Sequence, residues 1–494
     1  MDNLIHLIDT SQGYMSKNTV LFLNPPNAPF TSQGILIEPI DTLGLASWVE
    51  HLGYACSIID MDVRQLLASE LDDLLKGQWP DVIVIVFDYH IPLHDAGTNA
   101  QIEAICDLAH TKGSKIILGG KAATFLHSEK LKIKADVYIA HEMEMALQEL
   151  LTLPAQSWNA QSFENIAGIR YWKDDSYSTL CETAQREQKV VLDDLPIANR
   201  DLIRLSDYID VRTLLSSRGC NLQCTFCHVP GFWGWWRGRS AHIVASEIGH
   251  LVNHHHVKKI LFLDDNAMVK PQRMEEISQL LQERDISVAL GCLGTIERYR
   301  QQTVEKMYQG GFRWIHYGVE SGDNGQLHMM GKRINQEKIW QAVKGTQQAG
   351  LRVRTSWIMD MPEMTPEALK NTEEMILSLG SEEVRLHFLT LRLGSILHEQ
   401  YHDIDTPQFI HKGQQNLNIS ALPEALIEQS VHRILQGLVK QGYTVVRNAQ
   451  EFCDVQALKL RSPELKIVSL CPLRYGLGWL ESDFDSYLSS ANLS

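Results

Sequence analysis

Short apolar runs and helical stripes alternate along the first 150 residues. Thr19-Val-Leu-Phe-Leu-Asn24 predicts a buried strand that stops at Pro25-Pro26, and Leu43 to Gly53 predicts a helix ending on glycine. Strands are predicted at Ala55 to Asp60, Asp81 to Phe87, Lys115 to Leu118 and Val137 to Ala140, with helices over Ala100 to Thr111 and Met143 to Leu151. The Asp81 to Phe87 run is apolar almost throughout, as a strand covered on both faces must be. This βαβα order predicts a doubly wound, flavodoxin- or Rossmann-like parallel sheet, which takes ligands outside the carboxyl ends of its strands.

Residues 156–205 read as a connector with short strands at Ile166 to Trp172 and Val190 to Leu192, then the Leu195-Pro196 break. A second series follows, with strands predicted at 211–215, 258–263, 286–292, 312–319, 351–359 and 384–391 and helices between them. Val244, Ile248, Leu251 and Val252 share one helical face. Six strand–helix units predict a partial (β/α)6 barrel, whose chemistry belongs at the carboxyl ends of its strands. Beyond it one amphipathic helix, Glu424 to Gln441, marks a mostly helical C-terminal region. The α/β chain thus divides into an extension (1–17), a first domain (18–155), the connector, a barrel core (206–400) and the C-terminal region (401–494).

Composition is that of an ordinary globular chain, 44% apolar and 21% charged. A net charge of −15 with no dense Lys/Arg run argues against nucleic acid, whose binding rests on neutralised phosphates. Met1 to Lys17 lacks the pattern of a signal peptide, and the longest apolar stretch, Val82 to Phe87, is too short to span a bilayer. The expected setting is cytoplasmic and away from membranes, with reduced thiols.

Six of the nine cysteines are scattered, whereas Cys220, Cys224 and Cys227 crowd into one loop between a strand and a helix. In a reducing compartment such a crowd points to metal or catalysis. Zinc sites generally pair two CxxC elements, and no second pair is present. Three thiolates for a four-iron cluster would leave one iron open to a substrate or cofactor.

The CxxxCxFC spacing, with Phe226 as its aromatic, resembles the radical S-adenosylmethionine (SAM) superfamily. Ser217-Arg218-Gly219-Cys220 is similar to the approach to the motif in its cobalamin-binding branch. Phe262-Leu-Asp264-Asp265-Asn266 resembles the strand end that meets the methionine amine, and Gly318-Val-Glu320-Ser321-Gly322 the one that faces the ribose. The likeness covers residues 190 to 400. It implies a [4Fe–4S] cluster on Cys220, Cys224 and Cys227, with SAM against Phe226, Asp264, Asp265, Glu320 and Ser321. In Trp357 to Pro362 and Glu363, Asp360 and Glu363 replace two glycines of the family's turn, a departure on the adenine side.

Residues 18 to 152 resemble the cobalamin-binding domain of that branch, through Asn24-Pro25-Pro26, Asp41 to Leu45, Leu118-Gly119-Gly120, Lys121 to Thr124, and His141 to Glu144 in place of a "GEGE" turn. The likeness implies cobalamin near Asn24, Gly119 and Gly120. The DxHxxG motif that supplies a lower histidine ligand is missing, and Asp88-Tyr-His90 follows the wrong strand. Together the resemblances imply a methyltransferase acting on an unactivated carbon or phosphorus of a small molecule, with a flavodoxin or ferredoxin as electron donor. A radical cyclase, oxidase or rearranging enzyme, and a cobalamin or iron–sulfur sensor, remain the alternatives. Catalytic proton-transfer residues are not identified by sequence. His254-His255-His256 reads as a solvated helix end, Phe232 to Arg239 as a wall of the active site or a domain contact, and Cys292 as a core thiol.

Overall fold

The computed structural model describes residues 19–26, 37–87, 96–125, 133–174, 176–389, 391–401, 420–446 and 465–470. These fall into two compact units, the first essentially residues 36–209 with the opening strand, the second essentially 210–409 with the C-terminal elements.

The first unit is built on a seven-stranded sheet of β1 (Thr19–Asn24), β2 (Ala55–Asp60), β3 (Val82–Val86), β4 (Lys115–Gly119), β5 (Val137–Ile139), β6 (Ile169–Trp172) and β7 (Leu180–Glu182). Their spatial order is β2-β1-β3-β4-β5-β6-β7. The first five run parallel, and β6 and β7 add antiparallel at one edge. Parallel strands need covered faces, and every residue of β3 is buried. The order 2-1-3-4-5 places a switch point between β1 and β3, where the crossovers diverge and a crevice opens. The connector expected from sequence therefore supplies two strands to this sheet. Val190 to Leu192 forms no strand; a 3-10 turn begins at Leu192, followed by the Leu195-Pro196 break.

The second unit holds an eight-stranded, wholly parallel sheet. The six predicted barrel strands are β8 (Arg212–Leu214), β11 (Lys259–Phe262), β12 (Ala289–Gly294), β13 (Phe312–Glu320), β14 (Arg352–Ile358) and β15 (Glu383–His387). A small antiparallel pair, β9 (Ser217–Arg218) and β10 (Arg237–Gly238), stands apart. The C-terminal region contributes the helix Glu424–Lys440 and also β16 (Tyr443–Val446) and β17 (Lys466–Leu470), which extend the sheet beyond β15. Along β13 the buried Ile315, Tyr317 and Val319 join the core under the helices, so the alternate His316, Gly318 and Glu320 line the inner face. No helix among the described residues is long and apolar enough to cross a membrane.

Candidate active site

The cysteine loop is held from several sides at the carboxyl end of the barrel. Pairing of Ser217–Arg218 with Arg237–Gly238 pinches its base. Gly219, at φ +83, lies so close to Trp235 that a Cβ would stand 2.8 Å from the Trp235 carbonyl oxygen. A side chain there would be both strained and blocked. The Gly219 N–H donates to Asp265 Oδ2 at 3.0 Å, and the Trp236 N–H donates to Asn221 Oδ1 at 3.0 Å. Farther along, the Thr225 N–H donates to the Met330 carbonyl (3.0 Å), while the Thr225 carbonyl accepts from the Leu397 N–H (2.9 Å). The aromatic stretch Phe232 to Arg239 folds back over this loop, with the Arg218 guanidinium 5.0 Å above the Trp233 ring.

All three loop cysteines are free and half-buried. Burial raises the Cys220 thiol and pushes Cys224 up to about 11 and Cys227 up to about 12. Metal binding would therefore displace protons from them. Among the described residues no three His, Cys, Asp or Glu side chains converge on a single ion. A four-iron cluster does not need such convergence, because each thiolate meets a different iron. The donor set fits a cluster with one iron left open.

Two of the predicted SAM contacts have internal partners. Asp264 is fully buried; its Oδ1 accepts from the Ser216 N–H (2.6 Å) and its Oδ2 from the Ser216 and Ser217 hydroxyls (both 2.5 Å). It fastens the segment leading into the cysteine loop, and its carboxylate does not face the mouth. Ser321 is likewise fully buried, its hydroxyl 3.1 Å from Thr372 Oγ1 and accepting from the Asp323 N–H at 3.1 Å. Both side chains are thus engaged within the protein. Phe226 packs partly buried against the barrel core.

Asp265 follows β11, and Glu320 ends β13. Asp265 bonds the loop through Gly219 and is close enough to raise the Cys220 and Cys227 thiols. Glu320 ends β13 at φ +74, beside a register shift against β14. Its side chain folds back over Gly318, where a Cβ would lie 2.3 Å from Oε1. Burial raises its carboxyl to about 7, opposed by Lys332 and assisted by Glu297.

Two residues near the loop, Lys332 and Arg392, escaped the sequence reading, and a third, Asn266, was quoted there only as part of a motif. Lys332, only 7% exposed, donates through Nζ to the Gly318 carbonyl. Burial favours its neutral form, but Glu297, Cys224, Glu320 and Cys220 outweigh that and hold it charged. Gly331 places it: at φ +75, a Cβ there would meet the Gln223 carbonyl oxygen at 2.4 Å. Asn266 donates from Nδ2 to Cys220 Sγ at 3.4 Å. Arg392, half-buried after β15, lowers the Cys227 thiol. The Gly331-Lys332-Arg333 triplet was the sequence signal for Lys332, and Arg392 had none.

In the first unit, Asn24 at the end of β1 donates to Asp60 Oδ1 (2.8 Å), and Tyr208 donates to Asp60 Oδ2 (2.9 Å). Gly119 and Gly120 are occupied by the protein itself. A Cβ on Gly119 would fall 2.1 Å from Met143 Sδ, and one on Gly120, at φ +96, 2.5 Å from the Phe87 carbonyl oxygen. Both glycines are thus crowded by neighbouring groups of the protein. His141 adopts φ +60, as a glycine at the first position of the "GEGE" turn would. His90 lies outside the described residues. His254 to His256 form the exposed or half-exposed end of the helix Ala241–His255, and Cys292 is a buried core thiol, both as expected.

Residues 214–376 match the model of the radical SAM superfamily. An uncharacterised methyltransferase of Pyrococcus horikoshii is 24% identical over 391 residues, covering 77% of this chain and 82% of the relative. Among solved structures, the cobalamin-dependent SAM radical enzyme OxsB, bound to aqua-cobalamin, aligns at TM-score 0.63 and 20% identity. That alignment covers 80% of this chain but 56% of OxsB. The radical SAM methyltransferase TsrM of Kitasatospora setae, with cobalamin and a [4Fe–4S] cluster, aligns at TM-score 0.64 and 14% identity over 78% of each chain. A domain of the matched kind works with a [4Fe–4S] cluster and SAM. Residues 214–376 thus form a radical SAM domain, with the cysteine loop at the carboxyl end of its parallel sheet, and the chain shares its fold with cobalamin-dependent enzymes of that superfamily.

Proposed function

We propose that the protein is a cobalamin-dependent radical SAM methyltransferase that methylates an unactivated carbon or phosphorus of a small molecule. The observation that carries the reading is the cysteine loop itself: three half-buried thiols on one loop, which Asp265 holds through the Gly219 N–H. Cys220, Cys224 and Cys227 would hold the cluster, leaving one iron open to SAM, and cluster and SAM together would supply the radical chemistry.

The chain's own groups bind and orient. Glu320, in its ionised form, accepts hydrogen bonds from the ribose hydroxyls. Lys332 offsets the negative charge that three thiolates bring to a buried site. Asn266 donates to the Cys220 sulfur, and hydrogen bonds of this type tune cluster potential. Asp264 and Ser321 hold the loop and the β13 end in register.

Cobalamin, which supplies methyl transfer, belongs by this reading at the carboxyl edge of the first unit's sheet. Support comes from the switch point between β1 and β3, where Asn24 ends its strand, and from the likeness to OxsB and TsrM. A flavodoxin or ferredoxin would supply electrons.

The test is anaerobic turnover of reconstituted protein with hydroxocobalamin, reductant and methyl-deuterated SAM. Formation of 5′-deoxyadenosine together with S-adenosylhomocysteine supports methyl transfer. Deoxyadenosine alone would turn the assignment to a radical cyclase or rearranging enzyme, and neither product would remove it.

A further inference from the structure

The turn that carries Cys224 and Cys227 is held from outside by its main chain. The Cys227 N–H donates to the Cys224 carbonyl at 3.0 Å, so Thr225 and Phe226 are the central residues of a tight turn with a cysteine at each end. Thr225 is fastened on both sides. Its N–H donates to the carbonyl of Met330, the residue that closes the helix Asn324–Met329. Its carbonyl accepts from the N–H of Leu397, in the first turn of the helix Ile396–Gln400. Helix ends leave such groups without partners inside the helix, so each bond serves the loop and the helix alike. Gly331 presses on the same stretch: a Cβ there would stand 2.4 Å from the Gln223 carbonyl oxygen and 3.6 Å from the Cys224 Cα.

With its backbone fixed, Thr225 keeps little freedom beyond χ1, and a β-branched residue is stiff there. The residue is half-buried, yet its hydroxyl oxygen is buried and meets no hydrogen-bond partner among the described residues. Buried side-chain polar atoms without a partner are few in folded proteins, and each is costly to leave so. The neighbouring groups of the turn are already engaged: both main-chain groups of Thr225 are bonded, and Phe226 packs against the barrel core. On the reading given above, the group that enters this loop is an iron–sulfur cluster, whose sulfurs accept hydrogen bonds and have none to donate. Asn266 shows the pattern at the other end of the loop. Its Oδ1 accepts from the Met268 N–H at 3.2 Å, which leaves Nδ2 to donate to Cys220 Sγ at 3.4 Å.

We infer that the Thr225 hydroxyl donates a hydrogen bond to a sulfur of the cluster on Cys220, Cys224 and Cys227, and so raises its reduction potential. Reduction adds negative charge to the sulfurs, and a donor therefore favours the reduced form over the oxidised one. The inference rests on the cluster reading and deepens it. It gives the residue between the second and third cysteines a part in deciding how readily an electron donor reduces the cluster.

The experiment uses the full-length chain with its cluster reconstituted anaerobically, titrated with reductant without SAM and read by electron paramagnetic resonance. Iron and sulfide per chain are counted first. Thr225→Val removes the hydroxyl and keeps the branched shape, so it should hold wild-type iron. At the potential where the wild type is half reduced, its ratio of reduced to oxidised cluster should fall about threefold to tenfold, a tenfold fall being about 59 mV for a one-electron couple. Thr225→Ser keeps the hydroxyl and should stay near the wild type. An unchanged midpoint in Thr225→Val would overturn the inference. An equal shift in Thr225→Ser would overturn it too, by tracing the effect to the lost methyl group. So would a shift seen only with SAM present, which would assign the hydroxyl to SAM. If Thr225→Val takes up no iron, Thr225→Ala and Thr225→Ser, which differ by the hydroxyl alone, decide instead. A lower midpoint in the Ala variant supports the bond, and equal midpoints overturn it. Iron missing from the wild type would overturn the cluster reading and this inference with it, an outcome the iron count registers before any potential is measured.

Discussion

At the carboxyl ends of β1 and β2 the described polar groups bond one another. Asn24 and Tyr208 both donate to Asp60, and the glycines at the end of β4 are backed by Met143 and Phe87. At the carboxyl edge of the second sheet the groups are left with bonding capacity and conflicting charges. Three thiols, Glu320 and Lys332 are buried together, and Arg392 stands half-buried nearby. One edge is assembled as structure. The other holds groups whose mutual balance changes once thiolates and a cofactor are added. Burial of polar groups without full internal pairing is costly and marks a place where something binds.

The largest effect expected from breaking this contrast is on the second edge. Replacing Cys220, Cys224 and Cys227 together by Ala should abolish iron binding in anaerobically reconstituted protein, read as iron and sulfide per chain. Retention of wild-type iron by the triple variant would end the cluster assignment. The fold should survive, because the loop is held by backbone bonds of Thr225, Cys227 and Gly219 that do not use the thiol sulfur.

On the first edge, Gly120→Val should destabilise the unit itself. The new Cβ would meet a backbone oxygen at 2.5 Å in a left-handed conformation. The cost should be about 3 kcal/mol or more, the scale of strain combined with core overpacking. Denaturant unfolding without cobalamin measures it. Wild-type stability in that experiment, with cobalamin binding lost, would show that the glycine serves a ligand after all.

These two sites also show what was legible in the sequence. The order of strands and helices could be read because buried parallel strands are continuous apolar runs. The cysteine loop could be read because its spacing is rare. The roles of Asp264 and Ser321 could not, since a motif names a residue but not the direction of its side chain, and both turn inward to Ser216, Ser217 and Thr372. Lys332 and Arg392 were missed because each reaches the loop from a distant segment, through Met330 and Leu397. The strand β6 was read within Ile166 to Trp172 but not its place in the first sheet, and β7, β16 and β17 were not read, since such short half-buried strands carry too few alternating positions to register.

A smaller effect sharpens the role of Glu320. Its folded-state carboxyl is raised to about 7 from 4.5. The sign follows from linkage: folding favours the protonated form, so the contribution to stability is full below 4.5 and is lost as pH rises through about 7. SAM binding through an ionised Glu320 should show the opposite trend, tightening as pH rises through the same window. Glu320→Gln should flatten both profiles and weaken SAM binding about tenfold, with iron content unchanged. A SAM affinity independent of pH between 5 and 8 in the wild type (roughly the window spanned by the shift) would remove Glu320 from the ribose side.

The smallest expected effect tests whether the two edges share one feature despite their difference. Each has a non-glycine residue in the left-handed region where the resembling families write glycine: His141 at φ +60 in the first unit, Glu363 at φ +56 in the second. An L-residue in that region costs roughly 1–2 kcal/mol, while glycine costs roughly 0.5–1 kcal/mol through the greater freedom of the unfolded chain. The two terms nearly cancel, leaving Glu363→Gly stabilising by up to about 1 kcal/mol, because the Glu363 side chain is exposed and loses no packing. His141 is half-buried, so His141→Gly forfeits side-chain contacts and should gain less, although the bond from its N–H to Thr124 Oγ1 at 2.7 Å is kept. Denaturation midpoints of the two variants measured side by side check this ordering. A loss of stability in Glu363→Gly would mean that its carboxylate holds the β14 turn, and that the departure from the family's glycine is a functional feature of this chain.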